Sequence, residues 1–567
     1  MKKYLLVLVS LCCALLPALA EHPEYPELKK SDANIIGHVL DKKTSEHLPY
    51  ITIALKGTTI GTVTDATGHY FLKNLPEGNF MMEVSSVGYK TVTRSVTLKK
   101  GKTLEENFEL EEDAIALDGV VVSANRSETT RRLAPTLVNV VDLKLFETTN
   151  SSTLSQGLNF QPGVRVETNC QNCGFQQVRI NGLDGPYTQI LIDSRPVFSA
   201  LSGVYGLEQI PASMIERVEV MRGGGSALFG SSAIAGTINI ITKEPLRNSG
   251  QLSHTITSIG GSSAFDNNTS LNASLVTDDH RAGLYIFGQN RHRSGYDYDG
   301  DGFTELPKLK NQTVGFRSYL KTSTYSKLTF EYHHMQEFRR GGDMLDRPPH
   351  EAHIAEQLQH SIDGGSLKYD YFSPNEKNRL SVFASAANTD RDSYYGPGND
   401  PLKAYGKTTD LTAMGGVQYV HTFDKCLFMP SDLTAGLEYN RDRLKDNMWG
   451  YDRHTDQTVK VYSAFLQNEW KNKHWGILIG GRLDKHNMVD DVIFSPRANL
   501  RFNPTDNINL RLSYSSGFRA PQAFDEDMHI ENVGGTVAMI ERAKDLKEEK
   551  SQSFSASADM YHRFGAF

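Results

Sequence analysis

The sequence predicts an all-β-dominated protein with three parts: an N-terminal β-sandwich, a small α+β domain, and a long antiparallel β-barrel that crosses a membrane. Short strand-like runs separated by turn residues fill residues 34–112, as in a small sandwich. Two β-branched runs flank a connection rich in Gly, Ser and Ala between residues 215 and 245. After residue 245, many segments of about ten residues alternate apolar with polar side chains, which is the pattern of barrel strands between lipid and a polar lumen.

The composition excludes several classes of protein. At 567 residues the chain is too long for one ordinary domain, and its net charge of −7 gives no electrostatic basis for binding nucleic acid. After residue 20, no apolar run is long enough for a transmembrane helix. The zinc-protease and nucleophile-elbow signatures are missing from the sequence, so we predict that the protein is not an enzyme.

Residues 1–20 have the pattern of a secretory signal peptide. Lys2 and Lys3 form the basic start, Leu5–Leu16 the apolar core, and Ala18–Ala20 a small-x-small cleavage site. Two of the five cysteines lie in this segment and leave with it. The three that remain are too few for a disulfide-stapled scaffold, so the domains must be stabilised by their cores.

Residues 34–112 predict a β-sandwich of about seven strands. Runs such as Ile35–Val39 and Tyr50–Leu55 are separated by turn sequences such as Asp65–Gly68. Residues 61–80 read G-T-V-T-D-A-T-G-H-Y-F-L-K-N-L-P-E-G-N-F, which resembles the carboxypeptidase-regulatory-like domain that precedes some receptors of the Bacteroidetes lineage.

Residues 113–135 form a polar linker that contains one apolar island, D-G-V-V-V-S-A, at residues 118–124. This island has two interpretations. It is either the last strand of the sandwich or a segment that adds a β-strand to the sheet edge of a partner protein. We favour the second interpretation because the island stands apart from the sandwich in a polar linker.

The stretch from Ile215 to Pro245 carries the most specific motif, I-E-R-V-E-V-M-R-G-G-G-S-A-L-F-G-S-S-A-I-A-G-T-I-N-I-I-T-K-E-P. It is not a nucleotide loop, because Leu228 stands at the third glycine position and the Walker lysine is missing. The motif resembles the end of the plug domain of TonB-dependent outer-membrane receptors, with Phe229 in place of a tyrosine.

This resemblance implies the remaining domain boundaries. Residues 136–245 are then the plug, and residues 246–567 are the barrel. The apolar island falls where the family carries its TonB box, the segment that the energy-transducing TonB protein binds. The predicted TonB-binding residues are Asp118, Val120, Val121, Val122, Ser123 and Ala124.

The barrel is expected to be incomplete in this chain. About fourteen alternating segments follow residue 245, whereas plugged transporters of this kind have 22 strands. Phe567 is also out of phase with the outward-facing set that includes Phe554 and Met560. We therefore expect a C-terminally truncated sequence that lacks the last barrel strands.

An acidic loop at residues 296–305 is a candidate calcium site. Carboxylates at every second position, followed by Gly302, can converge on one hard cation, although Lys308 stands where an EF-hand needs Glu. The alternative is an ordinary hydrophilic loop, and no other cofactor is predicted to be required. The candidate ligands are Asp297, Asp299, Asp301 and Glu305.

Two further groups are candidate ligand contacts. Cys170 and Cys173 form a C-x-x-C in the plug, for which we favour a disulfide over a soft-metal or ligand contact. Phe518–Pro521 and residues 543–546 resemble the F-R-A-P and N-P-D-L boxes that flank a histidine in haem receptors. This resemblance implies His529, near Arg519, as an axial haem ligand; the alternative is a polar residue in a long loop.

The family resemblance implies active import of a scarce nutrient across the outer membrane, with the N-terminal domain in the periplasm and without covalent chemistry. The plug motif favours an iron-siderophore or haem first and cobalamin second. Glycan import ranks third, because Met221–Gly224 departs from the glycan-importer motif. A signalling or adhesion receptor is a further alternative. The expected partners are TonB, the ligand and outer-membrane lipid, and a surface lipoprotein is a further candidate.

Overall fold

A computed structural model of the chain describes residues 30–86, 89–112, 120–195, 208, 210–277, 279–397, 404–523, 528–530, 541, 543 and 545–560. The expected signal peptide, Asp118 and Phe567 lie outside these residues. Among the helices in the described ranges, none combines the length and the apolar character needed to cross a membrane.

The N-terminal domain is a β-sandwich, as the sequence predicts. One sheet contains β1 (Lys30–Asp41), β4 (His69–Pro76), β7 (Thr103–Glu105) and β8 (Phe108–Leu110). The other has the order β3-β2-β5-β6. Alternate residues of the strands meet in a core that includes fully buried Ile35, Ile53 and Val84. The strands of the second sheet are β2 (Thr52–Leu55), β3 (Gly61–Val63), β5 (Gly78–Ser85) and β6 (Val92–Leu98).

The plug is built on a mixed four-stranded sheet of order β11-β15-β16-β14. Strands β15 and β16 come from the specific sequence motif and pair antiparallel, with β14 parallel to β16. A separate hairpin, β12-β13, packs beside this sheet through a shared apolar core. The strands are β9 (Val120–Val121), β10 (Thr129–Thr130), β11 (Val138–Asp142), β12 (Val164–Cys170), β13 (Phe175–Ile180), β14 (Thr188–Ile192), β15 (Ile215–Arg222) and β16 (Gly236–Thr242), and the helices are α1 (Leu143–Thr148), α2 (Leu154–Leu158) and α3 (Ser226–Phe229).

The rest of the described chain is one antiparallel sheet of 14 strands in sequence order, which confirms the predicted number. Each strand pairs with the next one along the chain, and successive connections lie at alternate ends of the sheet. The strands are β17 (Ser249–Ser258), β18 (Phe265–Val276), β19 (Ala282–Arg293), β20 (Lys308–Ser323), β21 (Ser326–Gly342), β22 (Ile354–Phe372), β23 (Asn378–Pro397), β24 (Tyr405–Cys426), β25 (Met429–Met448), β26 (Arg453–Lys471), β27 (Trp475–His486), β28 (Val492–Thr505), β29 (Ile508–Arg519) and β30 (Glu549–Met560).

The alternation of side chains sets which face of the sheet meets the plug. On β29, Leu510 and Leu512 are 41% and 56% exposed. Asn509 and Arg511, which alternate with them along the strand, are 0% and 4% exposed. Arg511 donates a hydrogen bond to the Ala134 carbonyl ahead of the plug, at 3.1 Å. The polar face therefore points inward and contacts the segment ahead of the plug.

Buried ion pairs fasten the plug to the inner wall. Glu208 of the plug contacts Arg339 of β21 at 2.7 Å and also reaches Arg291 and Arg293 of β19, at 3.4 and 3.3 Å. Burial raises the pKa of Glu208, but the attraction of the three guanidinium groups outweighs burial and lowers that pKa to about 2. On the neighbouring strand β20, Arg317 pairs with Asp193 of the plug.

The two ends of the barrel differ. Thr59 of the N-terminal domain donates its backbone N–H to the Thr324 carbonyl at 2.8 Å, and Thr62 contacts His280 at 3.1 Å. Both partners lie on short connections between strands. The longer connections, including residues 294–307 and 343–353, lie at the opposite end of the barrel, which we call the long-loop end.

We expect Gly236→Val to destabilise the plug. A Cβ at this position would lie 2.4 Å from the Met221 carbonyl oxygen of the paired strand β15. Overpacking of this kind costs about 1–3 kcal/mol. The matched control is Gly250→Val, because a Cβ there has no heavy atom within 4 Å. Unfolding of the purified variants measures the effect, and equal stability of the two variants would contradict this packing.

We expect Glu208→Gln to destabilise the protein at pH 7 by about 3–5 kcal/mol, because it removes a buried carboxylate that faces three buried arginines. Since the folded-state pKa of Glu208 is lowered to about 2, its contribution is present above the unfolded-state pKa and is lost as the pH falls towards 2. The difference in unfolding free energy between wild type and variant should therefore shrink below about pH 4.5. Glu111→Gln is the control, because Glu111 pairs with Lys90 on the surface. A difference that does not depend on pH would refute this assignment.

Candidate functional site

Residues 120–124 belong to the predicted TonB box, and residues 121–124 lie largely buried between the plug and the barrel wall. Val121, Ser123 and Ala124 are each 0% exposed. The side chain of Glu219, on β15 in the centre of the plug sheet, holds this segment. Its Oε2 accepts hydrogen bonds from the backbone N–H groups of Val122 and Ser123, both at 2.9 Å, and from the Ser123 hydroxyl at 2.7 Å.

A second plug side chain completes this contact. Asn239 of β16 is the cross-strand neighbour of Glu219, and its amide donates to the Ser123 hydroxyl oxygen at 2.9 Å. Both residues are fully buried polar groups, and each lies between two buried apolar neighbours in its strand. The sequence analysis missed this role. The available signal was a carboxylate and an amide that each stand between two β-branched residues, since buried polar groups need partners.

The barrel wall holds the other side of the segment. Arg497 of β28 donates to the Ala124 carbonyl at 3.0 Å. The backbone carbonyl of the next residue, Asn125, accepts a hydrogen bond from the Gln467 side chain at 2.8 Å. The Asn125 side-chain amide donates to Glu469 at 2.7 Å. Arg126 then forms a buried ion pair with Glu438 of β25.

The pairing of Val120 and Val121 tests the interpretation of the island as a last sandwich strand, while TonB binding stays a prediction. β9 pairs antiparallel with β10 at Thr129 and Thr130, and not with either sheet of the N-terminal domain. The interpretation of the island as a last sandwich strand is therefore wrong. In this structure the segment is also covered, so a partner strand can pair with it only after it leaves Glu219.

The plug hairpin carries the C-x-x-C at the long-loop end. Cys170 is the last residue of β12, and Cys173 lies in the connection to β13. The two sulfurs are not bonded to each other in this structure, so the favoured disulfide is not found here. Instead, the Cys170 thiol donates to Glu356 Oε2 at 3.1 Å, and the Cys173 sulfur lies 3.3 Å from His529 Nε2.

Four side chains meet here, since one ligand atom each of Cys170, Cys173, Glu356 and His529 lie within 4.8 Å of one another. A hydrogen bond from Cys173 lowers the pKa of the Cys170 thiol to about 7, against the opposing effect of burial. Burial lowers the pKa of His529, but its bonds to Cys170 and Glu356 outweigh burial and raise it to about 10.

The structure thus brings together three of the four residues proposed as ligand contacts. Arg519 lies elsewhere, because it pairs with Glu549 at 3.2 Å and covers the ring of Tyr187. Glu356 was missed by the sequence analysis. It is 186 residues from Cys170 in the chain, and no local motif joins the two.

The acidic loop partly matches its prediction. Carboxylate oxygens of Asp297, Asp299 and Glu305 lie within 4.8 Å of one another. Asp301 does not belong to this group, because its carboxylate accepts the backbone N–H of Phe303 at 2.8 Å. Calcium binding by this loop stays a prediction.

Three family profiles match the chain. They are the CarboxypepD_reg-like domain at residues 35–122, the TonB-dependent Receptor Plug Domain at residues 130–237, and the TonB dependent receptor-like, beta-barrel domain at residues 236–567. The matched segments follow the order of sandwich, plug and 14-stranded sheet in the structure.

Curated relatives are similar over most of the chain. The Vitamin B12 transporter BtuB of Vibrio vulnificus strain CMCP6 is 24% identical over 424 residues, covering 72% of this chain and 64% of the relative. The Ferric enterobactin receptor of Pseudomonas aeruginosa is 23% identical over 480 residues, covering 71% of this chain and 61% of the relative. The chain therefore spans slightly less than two thirds of the length of these relatives.

Solved structures share the fold. The siderophore receptor PirA from Acinetobacter baumannii superimposes with a TM-score of 0.65 at 18% identity, covering 76% of this chain and 69% of that one. A mutant of the ferric enterobactin receptor PfeA from Pseudomonas aeruginosa gives 0.62 at 18% identity, covering 76% and 70%. Because the barrel profile alone matches more than half of the residues, and plug and barrel are both present, the chain belongs to the TonB-dependent receptors, a family of outer-membrane receptors and transporters rather than of enzymes.

Proposed function

We propose that this protein imports an iron-siderophore chelate across the outer membrane, and that TonB drives import by pulling on residues 120–124. The observation that carries the proposal is the tether of this segment. It is bound to the two central strands of the plug sheet through Glu219 and Asn239, and to the wall through Arg497.

The tether explains why import needs energy. Releasing Val122 and Ser123 breaks three hydrogen bonds to one buried carboxylate, and bonds to charged groups contribute about 1.5–3 kcal/mol each. A partner that pairs with the freed strand restores the backbone hydrogen bonds, as in β-strand addition. Because Glu219 and Asn239 lie on paired strands, a pull on Ser123 acts on the centre of the plug sheet.

The asymmetry of the barrel sets the direction of transport. The N-terminal domain and the short connections lie at one end, which we assign to the periplasm. The C-x-x-C hairpin and the acidic loop lie at the long-loop end, which we assign to the cell exterior. A ligand bound at the plug apex and a TonB protein bound at residues 120–124 are then on opposite sides of one plug.

The relatives support the ligand class. The ferric enterobactin receptor and the PirA receptor are named for siderophores, which favours an iron chelate. The vitamin B12 transporter supports cobalamin as the second candidate, and the converging carboxylates of Asp297, Asp299 and Glu305 favour testing it with calcium. Haem is less supported, because His529 Nε2 faces Cys173 and Glu356.

Uptake of labelled ferric enterobactin by cells that lack their own receptor tests the proposal. The full chain should restore uptake, and Val121→Pro should abolish it while leaving ligand binding unchanged, because proline lacks the N–H that strand pairing uses. Val121→Ala is the matched control and should transport. If cobalamin with calcium is taken up instead, the ligand assignment is wrong. If Val121→Pro transports normally, the role of residues 120–124 is wrong.

Glu219→Ala should release residues 120–124 without TonB. Each of the Val122 and Ser123 amides loses one hydrogen bond to a charged group, worth about 1.5–3 kcal/mol, which corresponds to about 10- to 140-fold faster hydrogen–deuterium exchange of that amide. The control is Glu216→Ala on the same strand, whose side chain is 47% exposed and pairs with Arg217. Unchanged exchange in Glu219→Ala would show that this carboxylate does not hold the segment.

A further inference from the structure

We propose that Cys170, Cys173, Glu356 and His529 bind one zinc-class divalent cation at the plug apex. These residues offer two sulfurs, one imidazole nitrogen and one carboxylate oxygen, all within 4.8 Å of one another. This proposal is independent of siderophore import and of TonB, because it concerns a cation held directly by side chains of the receptor.

The donor set is the one that zinc prefers. Zinc in proteins is usually tetrahedral and takes Cys sulfur, His nitrogen and Asp or Glu oxygen, at bond lengths that place neighbouring donors about 3.4–3.8 Å apart. The measured separations are 3.1 Å from Cys170 Sγ to Glu356 Oε2, 3.3 Å from Cys173 Sγ to His529 Nε2, and 3.6 Å from His529 Nε2 to Glu356 Oε2. Shifts of a few tenths of an ångström would therefore bring these pairs to tetrahedral spacing.

Three separate parts of the chain supply the ligands. The hairpin of β12 and β13 supplies both sulfurs. Its turn folds towards Cys170 Sγ, which accepts a hydrogen bond from the Cys173 N–H at 3.4 Å. Glu356 comes from β22 of the barrel wall. His529 comes from residues 528–530, in the connection between β29 and β30.

The wall is shaped to receive the cysteine turn. A Cβ at Gly341 of β21 would lie 1.9 Å from the Asn172 carbonyl oxygen, so only glycine lets the turn approach this closely. Arg339, two residues earlier, donates to the Gly174 carbonyl at 3.2 Å. Contacts of Asn172 and Gly174 with β21 thus hold the turn on both sides of Cys173, which limits the rearrangement that metal binding would need.

Apolar side chains surround the four ligands. The His529 ring lies 5.4 Å from the ring of Phe175 and 5.3 Å from that of Tyr395. Cys173, Leu358, Met448 and Ile530 belong to the same buried cluster. Exclusion of water around a metal site strengthens its interactions with charged ligands and orients them. The side chains of Glu356 and His529 are accordingly only 4% and 13% exposed.

A bound cation would connect the plug, the wall and residues 528–530. This connection lies at the end of the plug opposite the segment at residues 120–124. The competing chemistry is oxidation of the two thiols to a disulfide, which would remove both sulfur ligands and leave Glu356 facing His529 alone.

Zinc titration of the reduced, metal-free full chain tests the proposal, with a chromophoric chelator as competitor and with neither siderophore nor TonB present. We expect one equivalent of zinc per chain. The C170S/C173S double variant should lose this binding. His529→Ala removes a direct ligand and should weaken zinc affinity by more than about 10-fold, since loss of a residue that only orients a ligand already costs about 10- to 100-fold. Cys426→Ser and His350→Ala are matched controls that should bind like wild type.

X-ray absorption of the zinc-loaded wild type provides a test that needs no variant to fold. The expected first shell has two sulfurs at about 2.3 Å and two lighter atoms at about 2.0–2.2 Å. A shell without sulfur, equal zinc binding by the double variant, or peptide mapping that finds Cys170 and Cys173 joined in the protein isolated from the outer membrane would overturn the proposal. Because the titration contains no siderophore, a failure of ferric enterobactin uptake leaves this result unaffected.

Discussion

The structure depends on one buried carboxylate. Glu219 lies in the middle of the plug sheet at 0% exposure, and its Oε2 is satisfied by two backbone amides and a hydroxyl of residues 122–123. A carboxylate in this position is costly without hydrogen bonds, so the plug and residues 120–124 stabilise each other. The dependence is mutual, because removing the segment would leave Glu219 Oε2 without these donors.

The plug and the barrel wall are matched by charge as well as by shape. The inward face of the sheet carries arginines and carboxylates, and the plug supplies the opposite charges through Glu208, Asp193 and Arg126. Removing one partner of such a buried pair is costly, because it leaves the other charge uncompensated. The ion pairs thus hold the plug against the wall.

Local sequence patterns predicted the fold well. Strand alternation gave the 14-stranded sheet, and turn residues gave the sandwich, because both depend on neighbours two to four residues apart. The motif at residues 215–245 gave the plug strands for the same reason. The site was predicted only in part: residues 120–124 and the C-x-x-C were found, whereas Glu219, Asn239 and Glu356 were missed, since their roles depend on partners far away in the chain.

By itself, the sequence determined the order of the domains, the period of the strands and the family resemblance, because each is written in contiguous residues. Tertiary structure decided which distant side chains meet. Cys173 and His529 are 356 residues apart, and Ser123 and Glu219 are 96 residues apart. Their contacts follow from the register of paired strands and from the fit of the plug inside the wall. These are properties of the folded molecule, because a shift of one residue along β15, for example, would turn Glu219 to the opposite face of the plug sheet.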